Sequence, residues 1–515
     1  MPPDLEVKSN KKNKYLYWVT IRKAVQYLFL LLFLLYFVKL QSTGSVGREI
    51  NPFIHSNPLL MLVNTITQKE FLTAFSLSLI IILFSFLFGR VWCGWFCPLG
   101  TILDLFSLKR GNNKQLTHTK LKYIKYMLLF TILFTAIWGI QTLLIFDPVT
   151  LLIRSLTFSI WPLMDKTITS LEKFLYPFDF LGKYIAEFDS AIRPSIFPTF
   201  PTFYRWSLGF GVIFLAILLS NLYAPRFWCR YICPLGGLLA IFSKFAIFRR
   251  DVNSQCINCG ICNERCPTAA IDSSKGYSSN PAECTLCMDC FKACPVNSIE
   301  LKTINKSKFL MDINPSRRQA LSILGTSAAA YLLLKLGILD RQEKSLPIRP
   351  PGSTEKVLLN SCLRCGECLR ICPTTALQPA LFEHGLESLW TPILIPRTGY
   401  CDYSCNACGD ICPVDAIPKL DLNTKKTTVI GTAIIDPNLC IAWADQIDCI
   451  VCEEMCPLPD KAIKLHTRRV KSNNNSTRQI KLPYVIPEIC IGCGICENKC
   501  PVVGQAAIRV YPETN

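Results

Sequence analysis

The chain has 515 residues, of which 50% are hydrophobic, and its mean hydropathy is +0.30. It is long enough for several domains and more apolar than a typical soluble protein, so membrane segments are expected. The net charge of +18 comes from basic residues that gather beside apolar runs, where membrane topology requires them, which argues against a nucleic-acid partner.

Four apolar runs predict membrane-spanning helices. The first, Ala24 to Leu40, follows a basic segment, residues 1–23, and is not a cleavable signal because further spans follow it. The other three are uncharged and about as long as a bilayer core requires of a helix. They are Phe71 to Gly89, Met127 to Phe146 and Trp206 to Pro225.

The positive-inside rule predicts the orientation of these spans. Basic residues lie in the N-terminal segment, between the second and third spans, and after the fourth, so we expect these segments in the cytoplasm. They are Lys8, Lys11, Lys12, Lys14, Arg22, Lys23, Lys109, Arg110, Lys114, Lys120, Lys122, Lys125, Lys244, Arg249 and Arg250. Loops 41–70 and 147–205 then face outward, and the longer loop, rich in aromatic residues, is expected to lie along the membrane interface.

The membrane part contains an internal repeat. Arg90 to Gly100 and Arg226 to Gly236 both read Arg-x-Trp-Cys-x-x-x-Cys-Pro-Leu-Gly, and each copy follows an even-numbered span. Two similar hairpins would bring their four thiols together, an arrangement suited to a metal centre or to redox thiols. These cysteines are Cys93, Cys97, Cys229 and Cys233. The alternative is that a Cys-Pro turn merely ends each span, although a turn needs no cysteine.

The stretch after the fourth span carries the bacterial 4Fe-4S motif, Cys-x-x-Cys-x-x-Cys-x-x-x-Cys-Pro, twice in succession. In two-cluster ferredoxins the fourth cysteine of each motif binds the other cluster. One cluster is therefore assigned to Cys256, Cys259, Cys262 and Cys294, and the other to Cys266, Cys284, Cys287 and Cys290. Structural zinc would explain neither the third cysteine nor the proline. Disulfide bonds are excluded as an explanation because every cysteine of this stretch is already accounted for by the cluster-binding motif.

A second junction of basic and apolar residues begins at Ser316, where Arg317 and Arg318 precede an apolar run to Leu339. It is similar to a twin-arginine export signal, a route that carries folded, cofactor-loaded domains. The run also predicts a fifth span, which would put everything after Asp340 outside. A buried soluble helix with an incidental arginine pair is the alternative, and it would leave the C-terminal domain in the cytoplasm.

Four further cysteine groups follow a proline-rich linker, Leu346 to Gly352. The first and last keep the regular spacing, the second has one extra residue in its first gap, and the third has a long loop there. The groups are Cys362, Cys365, Cys368, Cys372; Cys401, Cys405, Cys408, Cys412; Cys440, Cys449, Cys452, Cys456; and Cys490, Cys493, Cys496, Cys500. They predict four more 4Fe-4S clusters, about six in all. The spacing leaves open which fourth cysteine joins which group.

These patterns predict an α-helical membrane domain, with four spans and a fifth, joined to α+β ferredoxin-like 4Fe-4S domains. Strand-like pieces such as Thr428 to Ile435 and Ala507 to Val510 fit the small βαβ units that carry such clusters. The expected boundaries are 1–250 for the membrane domain, 251–305 for a two-cluster domain, 316–340 for a signal-anchor helix, 341–352 for a linker and 353–515 for a four-cluster domain.

The motifs resemble two bacterial protein types. Residues 15–300 are similar to the NapH or MauN type of membrane polyferredoxin, through the repeated Trp-Cys-x-x-x-Cys-Pro-Leu-Gly motif and the ferredoxin pair. Residues 316–512 are similar to the NapG or MauM type, through the twin arginines and the four cysteine groups. The resemblance implies a fusion in the bacterial inner membrane, with the first ferredoxin domain cytoplasmic and the C-terminal domain periplasmic. It implies electron transfer from membrane quinol to a periplasmic reductase or cytochrome.

Two classes of function remain open. The first is an electron-transfer subunit of a quinol dehydrogenase; the second is a maturation or regulatory protein that uses clusters to reduce or assemble another redox enzyme. No molybdopterin, flavin or nucleotide motif is present, so terminal chemistry is expected on a partner. None of the four histidines, His55, His118, His384 and His466, follows a Cys-x-x-Cys pair, which excludes attached c-type haem.

No catalytic residue and no quinone site can be assigned from the sequence. Asp104, Asp147 and His55 are ionisable residues near span ends that could accept a quinol proton. Each is alternatively an ordinary polar residue of the membrane interface.

Overall fold

The structure, a computed structural model, describes residues 16–42, 51–107, 119–193, 196–197, 202–303, 317–335, 346–471 and 477–513. Several expected features lie outside these residues. They are the lysines Lys8, Lys11, Lys12 and Lys14, the loop residues Lys109, Arg110 and Lys114, His118, Ser316 and residues 336–340 of the predicted signal-anchor helix, and residues 341–345 of the linker.

The N-terminal half is helical. Its helices are α1 (Leu16–Ser42), α2 (Pro52–His55), α3 (Pro58–Gln68), α4 (Ser76–Phe88), α5 (Pro98–Leu105) and α6 (Ile124–Ile137). They continue with α7 (Pro148–Ser155), α8 (Trp161–Leu175), α9 (Asp179–Ile192), α10 (Ser207–Leu219) and α11 (Pro234–Ser243). Three of them begin alike, with an Asn or Asp side chain that accepts a backbone N–H and a proline that fits the first helical position. These pairs are Asn51-Pro52, Asn57-Pro58 and Asp147-Pro148.

The predicted count of four spans and a fifth is not supported by the helix lengths. Within the described ranges, only Tyr17–Lys39, with 23 residues, is a helix long and apolar enough to cross a membrane. Such a helix near an N-terminus is expected of a membrane span and of a signal sequence alike. Helices α4, α6 and α10 have 13, 14 and 13 residues, whereas a spanning helix needs about 20. The third apolar run is interrupted because Gly139 adopts a φ of 79° just after α6.

The two copies of the repeat have the same local structure. Each forms a π-helical turn, Trp92–Phe96 in one copy and Trp228–Ile232 in the other. The proline after the second cysteine then starts a new helix, α5 or α11. The Cys-Pro step therefore begins a helix after an irregular turn, and a turn of this kind is often found at functional sites.

The first ferredoxin unit follows α11 directly. Its elements are β1 (Phe248–Val252), α12 (Ile261–Glu264), β2 (Ile271–Asp272), β3 (Ser278–Ser279), α13 (Asp289–Ala293) and β4 (Ile299–Thr303). β1 pairs with β4 and β2 with β3, both antiparallel. Gly260 precedes α12 with a φ of 77°, a backbone conformation that glycine adopts without strain.

The C-terminal unit follows helix α14 (Arg317–Lys335). Its elements are α15 (Glu355–Ser361), α16 (Glu367–Ile371), β5 (Leu377–Pro379), β6 (Pro392–Leu394), α17 (Ala407–Asp410), α18 (Leu422–Thr427) and β7 (Thr432–Ile435). They end with α19 (Ile441–Ala444), α20 (Val451–Glu454), β8 (Ile463–Lys471), β9 (Thr477–Val485), α21 (Ile495–Lys499) and β10 (Ile508–Tyr511). Of the first predicted strand, Thr428 to Ile435, only Thr432–Ile435 is a strand, β7, and the second is present as β10. The two pair with each other antiparallel and not within a βαβ unit. All three strand pairs here, β5–β6, β7–β10 and β8–β9, are antiparallel.

Helix α1 contacts both ferredoxin units. Near its start, Arg22 forms an ion pair of 3.3 Å with Asp289 of the first unit. Near its end, the carbonyl oxygen of Phe37 accepts a hydrogen bond from Arg370 of the C-terminal unit. Arg22 and Phe37 are fifteen positions apart in the helix, which corresponds to roughly 22 Å along its axis. The two units therefore lie at opposite ends of the helical part.

Helix α14 runs parallel to α6. The hydroxyls of Thr131 and Ser327 lie 3.2 Å apart, and the rings of Trp138 and Tyr331 are 5.3 Å apart. At its end, Lys335 pairs with Glu387 of the C-terminal unit at 3.4 Å. α14 thus leads from the end that carries the first unit towards the end that carries the second.

Candidate iron-sulfur sites

Two cavities in the first ferredoxin unit are lined by cysteines. Site 1 is Cys256, Cys259, Cys262 and Cys294, which line one cavity. Site 2 is Cys266, Cys284, Cys287 and Cys290, which line the other. The structure therefore brings together the same sets of four that the motif spacing assigned. In each set the fourth cysteine comes from the other motif.

The C-terminal unit has four comparable sites. Three of these sets each line a cavity. Site 3 is Cys362, Cys365, Cys368 and Cys412; site 5 is Cys456, Cys490, Cys493 and Cys496; site 6 is Cys440, Cys449, Cys452 and Cys500. The remaining cysteines form site 4, in which Cys372 lies close enough to Cys401, Cys405 and Cys408 to affect them electrostatically. The first two motifs thus exchange their fourth cysteines, and so do the last two.

The residues at these sites fit 4Fe-4S clusters. A cluster needs one thiolate for each of four irons, held by a short loop, and every site offers four cysteines in this form. Among the described residues no three Cys, His, Asp or Glu side chains converge as ligands of a single metal ion. That is expected, since the four sulfurs around a cluster stand farther apart than the ligands of one ion. The cavity walls are largely apolar, as with Val252, Ile257 and Val296 at site 1.

Backbone N–H groups already point at several ligand sulfurs. Ala270 and Ser298 donate to Cys266 and Cys294 at 3.3 Å each. Such hydrogen bonds tune the potential of a bound cluster. Burial raises the pKa of the Cys284 thiol to about 11. The thiol is therefore protonated at neutral pH, and iron binding has to displace the proton.

The four sites of the C-terminal unit form a series. Sites 3 and 4 have exchanged their fourth cysteines, and the Cys368 thiol lies within electrostatic range of both Cys412 and Cys408. Site 4 touches site 5 where the Cys401 N–H donates to the Cys493 carbonyl at 2.8 Å. Sites 5 and 6 again share exchanged cysteines. The order is 3, 4, 5, 6.

Site 3 lies against the helical part of the chain. Arg154 of α7 donates to the Arg364 carbonyl at 3.0 Å, and Asn51 donates to Glu367 at 2.9 Å. The Tyr204 hydroxyl donates to the Leu369 carbonyl at 3.3 Å. The role of these residues could not be predicted from the sequence, because single polar side chains far apart in the chain carry no motif.

The first ferredoxin unit docks on the opposite end through a buried carboxylate. Glu283 accepts hydrogen bonds from Lys125 at 2.6 and 2.7 Å and from Arg90 at 3.1 Å. The indole N–H of Trp95 donates to the Leu286 carbonyl at 3.0 Å. Gly94 lies so close to the Thr285 backbone that a Cβ there would come within 2.4 Å of its carbonyl oxygen. Site 2 is therefore fixed against the first copy of the repeat.

The four Cys-Pro thiols are all buried, and the repeat places them near one another. Cys97 and Cys233 each lie within electrostatic range of both Cys93 and Cys229. The two repeats are linked by their leading arginines, a role that the sequence analysis missed although both belong to the motif. Arg90 donates to the Cys229 carbonyl at 3.3 Å, and Arg226 donates to the Cys93 carbonyl at 3.0 Å.

The three candidate proton acceptors lie in different surroundings. Asp104 accepts from Arg226 at 2.5 and 2.6 Å, and Asp147 accepts from Asn57 at 2.6 Å while capping α7. Both carboxylates therefore have structural roles, as hydrogen-bond acceptors for Arg226 and Asn57. His55 is 4% exposed and hydrogen-bonds the backbone of Pro413, next to a site 3 cysteine. Its Nε2 atom has no hydrogen-bond partner among the described residues.

Two family descriptions match parts of the chain. A 4Fe-4S binding domain matches residues 71–116 and 204–254, which contain the two copies of the repeat. A 4Fe-4S dicluster domain matches residues 276–373. That match joins the second motif of the first unit to the first motif of the C-terminal unit, whereas the structure pairs each with a motif of its own unit. The cavity linings decide the pairing, because ligands of one cluster must surround one space.

Similar proteins carry the same kind of motifs. The chain is 34% identical over 208 residues to the methylamine utilization ferredoxin-type protein MauM of Methylorubrum extorquens, covering 39% of this chain and 90% of that protein. It is 30% identical over 226 residues to the ferredoxin-type protein NapG of Haemophilus influenzae, covering 42% and 77%. It is 32% identical to the ferredoxin-type protein NapG of Escherichia coli, in a match that covers 38% of this chain and 83% of that protein. No solved structure matches the chain. Because the match to MauM of Methylorubrum extorquens is 34% identical and covers 90% of that protein, the chain belongs to the MauM and NapG family of iron-sulfur ferredoxin-type electron-transfer proteins.

Proposed function

We propose that this protein takes electrons from membrane quinol and passes them through six 4Fe-4S clusters to a periplasmic partner oxidoreductase. The observation that carries the proposal is the arrangement of six four-cysteine sites in two units at opposite ends of α1. A series of four adjoining sites in one unit provides a path of short steps for electrons. An occasional assembly or maturation task would need no such series.

The surface of the helical part supports a membrane location. Large apolar side chains of α1, α4 and α10 are exposed, with exposed fractions from 44% upwards, and soluble proteins rarely expose apolar surface on this scale. They include Leu28, Leu31, Leu35, Leu77, Leu79, Leu83, Leu208, Ile213 and Leu215. Several short helices packed side by side, with lipid around them, would explain this surface. We therefore propose that α1 and its neighbours are embedded together in the inner membrane.

The same arrangement supports a fusion of two protein types. We assign residues 15–300 to a NapH or MauN type of membrane unit and residues 316–512 to the NapG or MauM part. The match of a 4Fe-4S binding domain to both copies of the repeat supports the first assignment. In this reading the first ferredoxin unit is cytoplasmic and the C-terminal unit periplasmic, because they lie at opposite ends of α1.

Quinol oxidation would be tested on anaerobically purified protein in detergent. Oxidised protein is mixed with a short-chain quinol, and cluster reduction is followed by the loss of visible absorbance and by EPR. We expect reduction of several clusters, since each quinol releases two electrons and two protons. Clusters that are reduced by dithionite but remain oxidised with excess quinol, under conditions where their potentials permit reduction, would overturn the quinol part of the proposal.

A further inference from the structure

Site 6 differs from the other five in the elements built around it. Its motif has the long first gap, between Cys440 and Cys449, which ligand geometry alone does not require. In the structure this gap forms α19 and a loop that are both bound to the hairpin of β8 and β9. The Trp443 indole donates to the Pro483 carbonyl at 2.9 Å, and Asp448 accepts from the Lys481 N–H at 3.0 Å. Pro483 itself lines the cavity of site 6.

The hairpin is strongly basic. β8 and β9 have 9 residues each and contain no acidic residue. Their basic residues are Lys464, Arg468, Arg469, Lys471, Arg478 and Lys481. Arg478 lies 3.4 Å from Asp448, and Lys464 lies 3.3 Å from Asp460. Arg468 and Arg469 are exposed and form no ion pair with any residue that the structure describes.

Apolar side chains are exposed on loops next to the ligands of site 6. Val503 is 95% exposed and follows Val502 of the cavity wall, while Ile447 and Ile450 flank Cys449 at 53% and 39%. An apolar centre with a charged rim is the usual composition of a protein interface. Site 6 is also the last of the four-site series, and site 3 at the other end lies against the helical part.

We propose that the surface of site 6 and the β8–β9 hairpin is the docking surface for a soluble redox protein with acidic residues around its exposed cofactor. This inference rests on the proposed electron-transfer function and names the exit of the series. One electron leaves the reduced cluster at site 6 and reduces the partner's cofactor by one electron, with no proton or group transferred. The positive hairpin attracts the acidic partner, and the apolar loops lie in the centre of the contact.

The test uses the full chain in detergent, reduced with dithionite, from which excess reductant is removed. Its reoxidation is measured by stopped flow against an acidic and a basic c-type cytochrome, both ferric, and against ferricyanide. The Arg468→Glu/Arg469→Glu variant is compared with Lys356→Glu/Lys426→Glu, which changes the charge equally on α15 and α18. Cluster absorbance shows that each variant is intact.

We expect the acidic cytochrome to be reduced faster than the basic one, with a rate that falls as salt rises. The hairpin variant should lose about tenfold or more of that rate, the lower range of electrostatic steering, while the control variant keeps it. An unchanged rate in the hairpin variant, or faster reduction of the basic cytochrome, overturns the docking surface. Binding of each variant to phosphatidylglycerol vesicles is measured alongside. A hairpin variant that loses vesicle binding but reduces the acidic cytochrome at the original rate also overturns the docking surface, because the hairpin would then be a lipid contact.

The two proposals fail in different ways. If ferricyanide reoxidises the clusters while neither cytochrome responds to the charge reversal, electron transfer stands and the docking surface is wrong. If ferricyanide leaves the clusters reduced, the electron-transfer function is wrong, and the docking surface with it.

Discussion

Glu283 and Lys125 form a buried ion pair of 2.6 Å between the first ferredoxin unit and helix α6, with side chains 5% and 0% exposed. Burial opposes ionisation of the carboxyl, but Lys125 and Arg90 outweigh it, so the pKa of Glu283 lies below its ordinary value. The charged carboxylate therefore fixes site 2 to the repeat that carries two of the Cys-Pro thiols.

Replacing Glu283 with Gln should loosen this contact. Two buried cations would lose their anion, and breaking a buried pair in this way costs about 3 to 5 kcal/mol. The measurement is denaturant unfolding of the first unit, followed by cluster absorbance. Asp251→Asn is the control, because Asp251 and its partner Lys302 are 56% and 51% exposed, and such pairs contribute about 1 kcal/mol or less. Equal effects of the two variants would contradict the structural role of Glu283.

Metal analysis should find about 24 iron atoms per chain with equal sulfide, since six clusters carry four irons each. EPR of the reduced protein should show interacting 4Fe-4S signals, because sites in each unit adjoin one another. Iron near half this content in fully loaded protein, or stoichiometric zinc, would contradict the six-cluster prediction.

The exchanged ligands can be tested at Cys412. Although this residue belongs to the second motif of the C-terminal unit, it lines the cavity of Cys362, Cys365 and Cys368. Cys412→Ser should therefore damage the cluster at site 3 directly and affect site 4 less, because the four cysteines of site 4 are unchanged. Cys372→Ser should do the reverse. EPR and Mössbauer spectra of the two variants should differ accordingly, and identical spectra would argue against the exchange.

The four Cys-Pro thiols should act together. Serine at Cys93, Cys97, Cys229 or Cys233 is expected to stop quinol-driven reduction of the clusters while the signals of sites 1 and 2 persist. The reason is that these buried thiols adjoin site 2 through Gly94 and Arg226. Normal reduction rates in all four single variants would show that the motifs are structural turns.

The orientation of the two units is open to a topology experiment. Alkaline phosphatase fused after Gly352 should be active, because α14 runs towards the C-terminal unit, which we place outside. A fluorescent protein that matures only in the cytoplasm should remain dark at the same position. Fluorescence there would instead place all six clusters on one side of the membrane.

Ligand groups could be predicted from the sequence because they are local. Cysteines three residues apart lie on one short loop, and the exchange in the first unit follows from there being only two motifs. In the C-terminal unit four motifs allow several exchanges, and only the packing of the loops around common cavities, as where Cys412 lines the cavity of Cys362 and Cys365, decides between them. Strands β7 and β10 were likewise predictable from short apolar runs.

Long-range features were not predictable. Helix lengths in the N-terminal helical part were overestimated because composition does not show where the backbone turns, as at Gly139. The hydrogen bonds of Arg90, Arg226 and Glu283 join residues more than a hundred positions apart in the sequence. Basic residues such as Lys125 were assigned to membrane orientation, yet in the structure Lys125 is fully buried in an ion pair.

Exchange of the fourth cysteine has a consequence for how the protein is loaded with iron. Neither loop of a pair contains a complete ligand set, so the first cluster to arrive in a loop must take a thiolate from its neighbour. The first cluster thereby holds the two loops close together, so the ligands of the second cluster are already positioned when it binds. Maturation is therefore expected in three paired steps, and loss of one cluster should make its neighbour easier to lose.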